Sequence, residues 1–448
     1  MKFISLSDIF LVPLYIAMVM TVIILISRKY KNPTIKKFFI YGALAKILAG
    51  QAVSFLYIFY YKYGDTLRYF SFGEMYKDLI LYSENLSFWD VLFMGNEDFV
   101  NIISYRIDYA YGFAESSFVV NKISGLLSLI SFSSFLVITI FFSILSFSGI
   151  WMMFKTFCNM YPRLYREFAF AILFFPSVTF WGSGLMKDSL CIGALGWLTW
   201  GIYNLFIAKG LDGRTKIYSL IAVFLTINLL ASIKVYIVMA FLLGALTWIF
   251  FHYRDKVQNK VIKALLIPIT ILLLIPVLIL GLQLFAEELG KYAIENIADT
   301  AYSLNAALSK GDAGSSYDIG LTEPTLAGLI SKAHIAIIVT LFRPFLWEVN
   351  NPIMLAAAIE SILILYFTIR VIFKVGITKV IPLILNNSVL LFCFVYSLIF
   401  AFAVGITSSN FGTLVRYKIP CMSFYLIGLV ILYYVGTGGD SFFNRKKA

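Results

Sequence analysis

Apolar runs about twenty residues long recur along most of this chain, separated by short polar turns, and few folds accept that pattern. Only 13% of the 448 residues are charged and 60% are hydrophobic, against about 25% charged in an ordinary soluble domain. A bilayer offers no water to backbone polar groups, so a segment inside it must satisfy them internally, as a helix does. Windows at 9–27, 38–60, 126–154, 168–181, 189–208, 217–233, 235–251, 264–285, 352–373, 381–405 and 420–435 predict about eleven spans on a ~20-residue criterion. The class is an all-α polytopic membrane protein in one integral domain. The fourth window is short and contains Pro176, which breaks helices.

Charge bias predicts the orientation. Segments 28–37, 155–167, 209–216, 252–263, 370–379 and 440–448 hold more than half of the 36 Lys and Arg but few of the 24 acidic residues. Positive residues favour the cytoplasmic side, which puts the N-terminus outside and the C-terminus in the cytoplasm. The net charge of +12 is then a topology signal and gives no ground for a nucleic-acid partner. The first apolar run is followed, not preceded, by Arg28, Lys29 and Lys31, so it does not read as a cleavable signal peptide. Cys158, Cys191, Cys393 and Cys421 have no disulfide or zinc spacing, and His252 and His334 fall on opposite sides. No internal repeat stands out, which weakens an inverted-repeat transporter.

Two outer segments are long, 61–123 and 286–351, whereas the cytoplasmic turns are short. Glu74–Leu81 and Phe88–Met94 read as amphipathic interfacial helices with aromatic anchors. The second segment reads as a helical stretch over Ala286–Leu308, a polar loop over Lys310–Gly320 and a half-apolar helix near 325–341. Material to build a site is therefore expected on the outer side.

Charged residues gather at that side. Asp65 follows the aromatic run Tyr57-Ile58-Phe59-Tyr60-Tyr61 and is expected to be partly desolvated, an environment suited to general-base work. It could equally cap, with Thr66, a helix containing Arg68 and Tyr69. Pro176 and Gly182-Ser183-Gly184 break the chain before Lys187 and Asp188, where Asp188 or Ser189 could cap the fifth span and Lys187 could meet a phosphate or simply snorkel. Lys234 and Tyr236 sit at the junction of spans six and seven. Arg343 and Glu348 precede the ninth span and could form an ion pair. Asn410, Arg416 and Lys418 stand before the eleventh, and the arginine fork matches phosphate oxygens. Lys46 and Glu360 lie within spans, where they could pair with each other or line a proton path.

This layout resembles the C-type membrane glycosyltransferase superfamily, with Asp65 opening a long outer loop after a span. Phrases Phe180–Asp188, Arg343–Glu348 and Asn410–Arg416 are similar to those of membrane proteins from bacterial polysaccharide loci, O-antigen polymerases among them. The resemblance implies Asp65 as base and Lys187, Arg343 and Arg416 as phosphate ligands. It further implies a polyprenyl-linked sugar donor, a glycan or lipid acceptor, and a bacterial inner membrane. The chain departs from the pattern by an extra first span and by the lack of a large soluble C-terminal domain. Thr66 follows Asp65 where a second carboxylate would support a divalent metal, so a metal stays open without that support and no other cofactor is expected. A polymerase using diphosphate-linked repeats is the nearest alternative. A flippase with a path lined by Lys46 and Glu360, and a non-catalytic assembly subunit, are the others.

Overall fold

The computed structural model describes residues 3–103, 115–254, 256–259, 317–320, 325–408 and 410–440, together with Leu265, Ser303 and Phe442. Among them there are helices and no strand. Eight helices are long and apolar enough to cross a membrane, fewer than the eleven windows predict, and the window 264–285 and the stretch 286–308 fall almost wholly outside the described residues. Of the loop Lys310–Gly320 only 317–320 is described, without regular structure.

The first two helices are α1 (Asp8–Ser27) and α2 (Pro33–Phe55), the latter running on as a wider π turn through Tyr61. Asn32 starts α2 by accepting from the Thr34 and Ile35 amides, with Pro33 in the first turn. Few residues of α1 are buried, and Phe10, Leu14, Met18 and Val22 face outward, as a lipid-facing helix requires. The chain then builds α3 (Asp65–Tyr82), α4 (Phe88–Phe93), α5 (Asn96–Ile103) and α6 (Glu115–Ile130). Phe72, Tyr76, Val91, Phe99 and Phe118 close a small separate core among them, so the expected amphipathic segment is a packed four-helix unit.

The central spans are α7 (Phe135–Met160) and α10 (Lys187–Ile202, with a π turn to Ile207), between which lie α8 (Tyr165–Phe168) and α9 (Pro176–Trp181). A Cβ on Gly149, Gly193 or Gly196 would overlap backbone of the facing helix, so α7 and α10 cross with their backbones in contact. Small residues permit this close packing where no hydrophobic force separates helix from lipid.

α11 (Gly213–Arg254) is 42 residues long, about 63 Å if straight and roughly twice a bilayer core. It is not straight: Lys234 takes φ −150°, ψ 79°, and the chain reverses there. Ser219, near the start, accepts from Asn204, and Tyr253, near the end, donates to the Phe206 carbonyl, so both legs return to one level. The two windows flanking Lys234 are therefore one helical hairpin.

The remaining elements are α12 (Leu326–Ser331), α13 (Ala333–Phe342), α14 (Pro352–Val375), α15 (Ile377–Leu385), α16 (Ser388–Thr407), α17 (Phe411–Tyr417) and α18 (Ile419–Gly436). The window 381–405 is divided, because α15 ends at its C-cap Asn386 and Asn387 caps α16.

Lys46 and Glu360 do not bond to each other. Lys46, fully buried, donates to the Val178 and Gly182 carbonyls at 3.0 and 2.8 Å, while Glu360 accepts from the Ser177 amide at 2.7 Å. They hold opposite ends of the six-residue α9, the anion at its N-terminus and the cation at its C-terminus. That is the polarity the helix dipole favours. Ser146 of α7 shares the Gly182 carbonyl with Lys46, and Ser143 takes up the Ser183 carbonyl of the same break.

Candidate functional site

The site begins where the π turn ending α2 meets α3. Gly64 has φ 133°, a backbone conformation that L side chains rarely adopt, and a Cβ there would lie 2.6 Å from the Tyr57 ring. Glycine thus lets Tyr57 pack under the turn while Asp65 begins the helix. Asp65 is the first residue of α3, so the helix with Arg68 and Tyr69 starts where the alternative put it, although Gly64 holds the cap position and no side-chain cap bond is made there. Its carboxylate turns to Arg416, and its side chain is 49% exposed, more open to water than its place in the sequence predicts.

Arg416, at the end of α17, is the hub. Its Nη1 donates to the Tyr57 hydroxyl at 3.0 Å, and its Nη2 lies 3.4 Å from Asp65 Oδ2 and 3.3 Å from Asp188 Oδ2. Asp188, 1% exposed, takes Lys234 Nζ on its other oxygen at 2.5 Å. Neither Asp188 nor Ser189 caps α10: Asp188 is spent on these cations and Ser189 donates to the Gly184 carbonyl. The Lys234 ammonium also sits 4.6 Å above the Tyr417 ring, and Tyr236 stacks on Phe400 beside it. Four distant stretches of chain, at 57–65, 188, 234 and 416, are joined by this one network.

Lys187 is half-buried and donates to Ser116 at 2.8 Å, within electrostatic reach of Asp65 and Asp188, so it does not snorkel. Tyr69 is buried beneath the same charges. Burial, reinforced by Asp65, raises its phenol above the ordinary value. Burial opposes the charge on Arg416, but Asp188, Tyr57 and Asp65 outweigh it and hold the guanidinium above its usual range. It stays cationic at every working pH.

A cavity of about 490 Å³ opens beside the hub. Asp65, Asn410 and Arg416 line it with Tyr57, Tyr61, Tyr63, Trp181, Asn351 and Thr413. A second cavity of about 370 Å³ shares Trp181 and Ile353 with it and is walled largely by Leu56, Pro176, Phe180, Pro352, Ala356, Ala357 and Val415, with Glu360 at one side. A polar chamber and an apolar one thus adjoin.

Three predicted ligands lie elsewhere. Arg343 is bound to Glu348 through Nε and Nη2, one edge of the guanidinium meeting both carboxylate oxygens, and the Tyr317 and Phe411 rings cover it. Lys418 is buried, with Nζ bonded to the Arg343 carbonyl and Ser361. Glu348 also accepts from the Phe345 amide. These side chains brace the turn before α14 and do not line the cavity. Arg68 is exposed and does not line it either. Asn410 lines the cavity while its Oδ1 caps α17. The tyrosines, Trp181, Asn351 and Thr413 were not singled out from sequence as site residues, since an uncharged wall carries no charge signal.

Among the described residues no three His, Cys, Asp or Glu side chains converge as a metal site. No family model, curated protein or solved structure matches the chain.

Proposed function

We propose that this protein is a membrane glycosyltransferase that moves a sugar from a polyprenyl-phosphate donor to a hydroxyl acceptor at the outer face of a bacterial inner membrane. The observation that carries this is the juxtaposition of Asp65 and Arg416 on a polar cavity that adjoins an apolar one. A lipid phosphate is an amphiphile of that form: its head needs a cation and hydrogen-bond donors, its chain an apolar trough. Arg416 supplies a planar fork for phosphate oxygens.

The chemistry assigns each group a direction. The acceptor hydroxyl gives its proton to Asp65 as its oxygen attacks the anomeric carbon. The bond between that carbon and the phosphate oxygen breaks, and the phosphate leaves with the electron pair onto Arg416, whose fixed charge stabilises it. Lys187 stands in reserve near the same charges. Arg343, first expected as a phosphate ligand, has no part in this step. Transport through Lys46 and Glu360 loses its support, because both are engaged by the ends of α9.

Reconstituted protein supplied with a panel of polyprenyl-phosphoryl sugars and acceptors tests the assignment. Transfer by the wild type and its loss in D65N are expected. Undiminished transfer by D65N would remove Asp65 as the base. A product lengthened by whole repeats from a diphosphate donor would instead favour the polymerase reading.

A further inference from the structure

The fixed charges around Arg416 limit what the cavity can accept. Among the described residues, three cations (Arg416, Lys234, Lys187) face two carboxylates (Asp188, Asp65) in one cluster. Of the neighbouring charges, Arg343 is bound to Glu348, Lys418 lies within electrostatic reach of Glu360, and Lys46 is taken up by carbonyls at the end of α9. Lys62 and Arg68 are exposed, where water and salt screen them. The described residues of the cluster thus carry one positive charge in excess.

Uncompensated charge of either sign is costly beside Asp188, Lys234 and Arg416, which have little water to screen it, Asp65 forming the exposed edge of the cluster. A head with one negative charge brings the cluster to neutrality. A head with two leaves it negative, with carboxylates close by. Resting on the lipid-phosphate function proposed above, we infer that Asp188, together with Asp65, sets the charge selectivity of the cavity, admitting a phosphodiester head and disfavouring a diphosphate diester. Asp188 does not line the cavity and acts through others: clamped between Lys234 and Arg416 and 1% exposed, its charge can neither swing away nor be screened. The break at Lys234 delivers that ammonium to it. It is therefore a positioning and selectivity residue.

The test uses two probes without a sugar, farnesyl methyl phosphate with one negative charge and farnesyl methyl diphosphate with two. Their affinities for the full chain in nanodiscs are compared at one ionic strength. The wild type is expected to favour the phosphate. D65N adds one net positive charge and should shift the affinity ratio toward the diphosphate on the order of tenfold, as does ~1.4 kcal/mol of added attraction. D188N should shift it the same way. The double variant D188N/K234Q removes one charge of each sign and should return the ratio to the wild-type value, which a purely structural role for Asp188 would not do. If D188N does not fold, D65N and the double variant decide the matter. A wild type that favours the diphosphate, or a ratio that D65N leaves unchanged, overturns the inference alone. Failure of the wild type to bind either probe overturns the lipid-phosphate function and the inference with it.

Discussion

Two sets of buried charges in this molecule do different work. Lys46 and Glu360 lie within long apolar helices, yet each is spent on backbone groups that the broken helix α9 leaves unpaired. Asp188, Lys234 and Arg416 are spent on one another, at the edge of a cavity that Arg416 reaches. An ionisable group in a membrane span invites a functional reading. The contrast shows what separates the cases. A charge whose partners are carbonyls and amides of a short helix holds the fold. A charge whose partners are other charges, one of them open to a cavity, is available for a ligand.

The comparison breaks if the two sets respond alike. The largest effect is expected at the open cluster. D65N should lower transfer by ~10²–10⁴, the usual worth of a general base, while melting stays within about 1 kcal/mol because the lost ion pair is half-exposed. R416K keeps the charge and loses the fork, and transfer should fall by ~10²–10³ as for loss of one preorganised stabilising donor. Both are read by product formation alongside a thermal melt.

G64A comes next and tests how the cluster is positioned. A side chain at φ 133° and 2.6 Å from Tyr57 should cost about 1–3 kcal/mol of stability, and Tyr57 should be pushed off Arg416, lowering activity as well. The α9 charges should show the opposite profile. K46M leaves carbonyls of the break without their ammonium and should lower stability by about 1–3 kcal/mol, with activity per folded molecule nearly intact. Loss of activity without loss of stability in K46M would erase the distinction between the two sets. The smallest effect is expected for E348Q, whose ion pair with Arg343 is partly exposed: a change near 0–1 kcal/mol, and no change in donor affinity.

Hydropathy made most of the bundle legible, since each long apolar run that is described became helix. A lysine between two apolar runs marked the reversal in α11 correctly, because a span twice the bilayer thickness has to turn. The division of 381–405 was not legible, since Asn387 acts as a cap only through the direction of its side chain. For the site, charge spacing picked out Asp65, Asp188, Lys234 and Arg416, which converge. It also picked out Arg343 and Lys418, which do not line the cavity. Sequence proximity to Arg416 placed Lys418 in the same group, but two positions along the chain its side chain leaves for the turn at Arg343. Lys46 and Glu360 were seen to need partners. That the partner would be one broken helix depended on where α9 lies between α2 and α14, which no local pattern encodes.

The central claim is that Arg416 holds the head of a lipid phosphate with Asp65 beside it as the base. It is tested most directly by a structure of the protein bound to farnesyl methyl phosphate, a singly charged mimic of the lipid carrier in the proposed donor. Phosphate oxygens within hydrogen-bond distance of the Arg416 guanidinium, with the first prenyl units beside Phe180 and Val415, are the predicted result. A carrier bound elsewhere, with Arg416 still turned to Asp65 and Asp188, would contradict it.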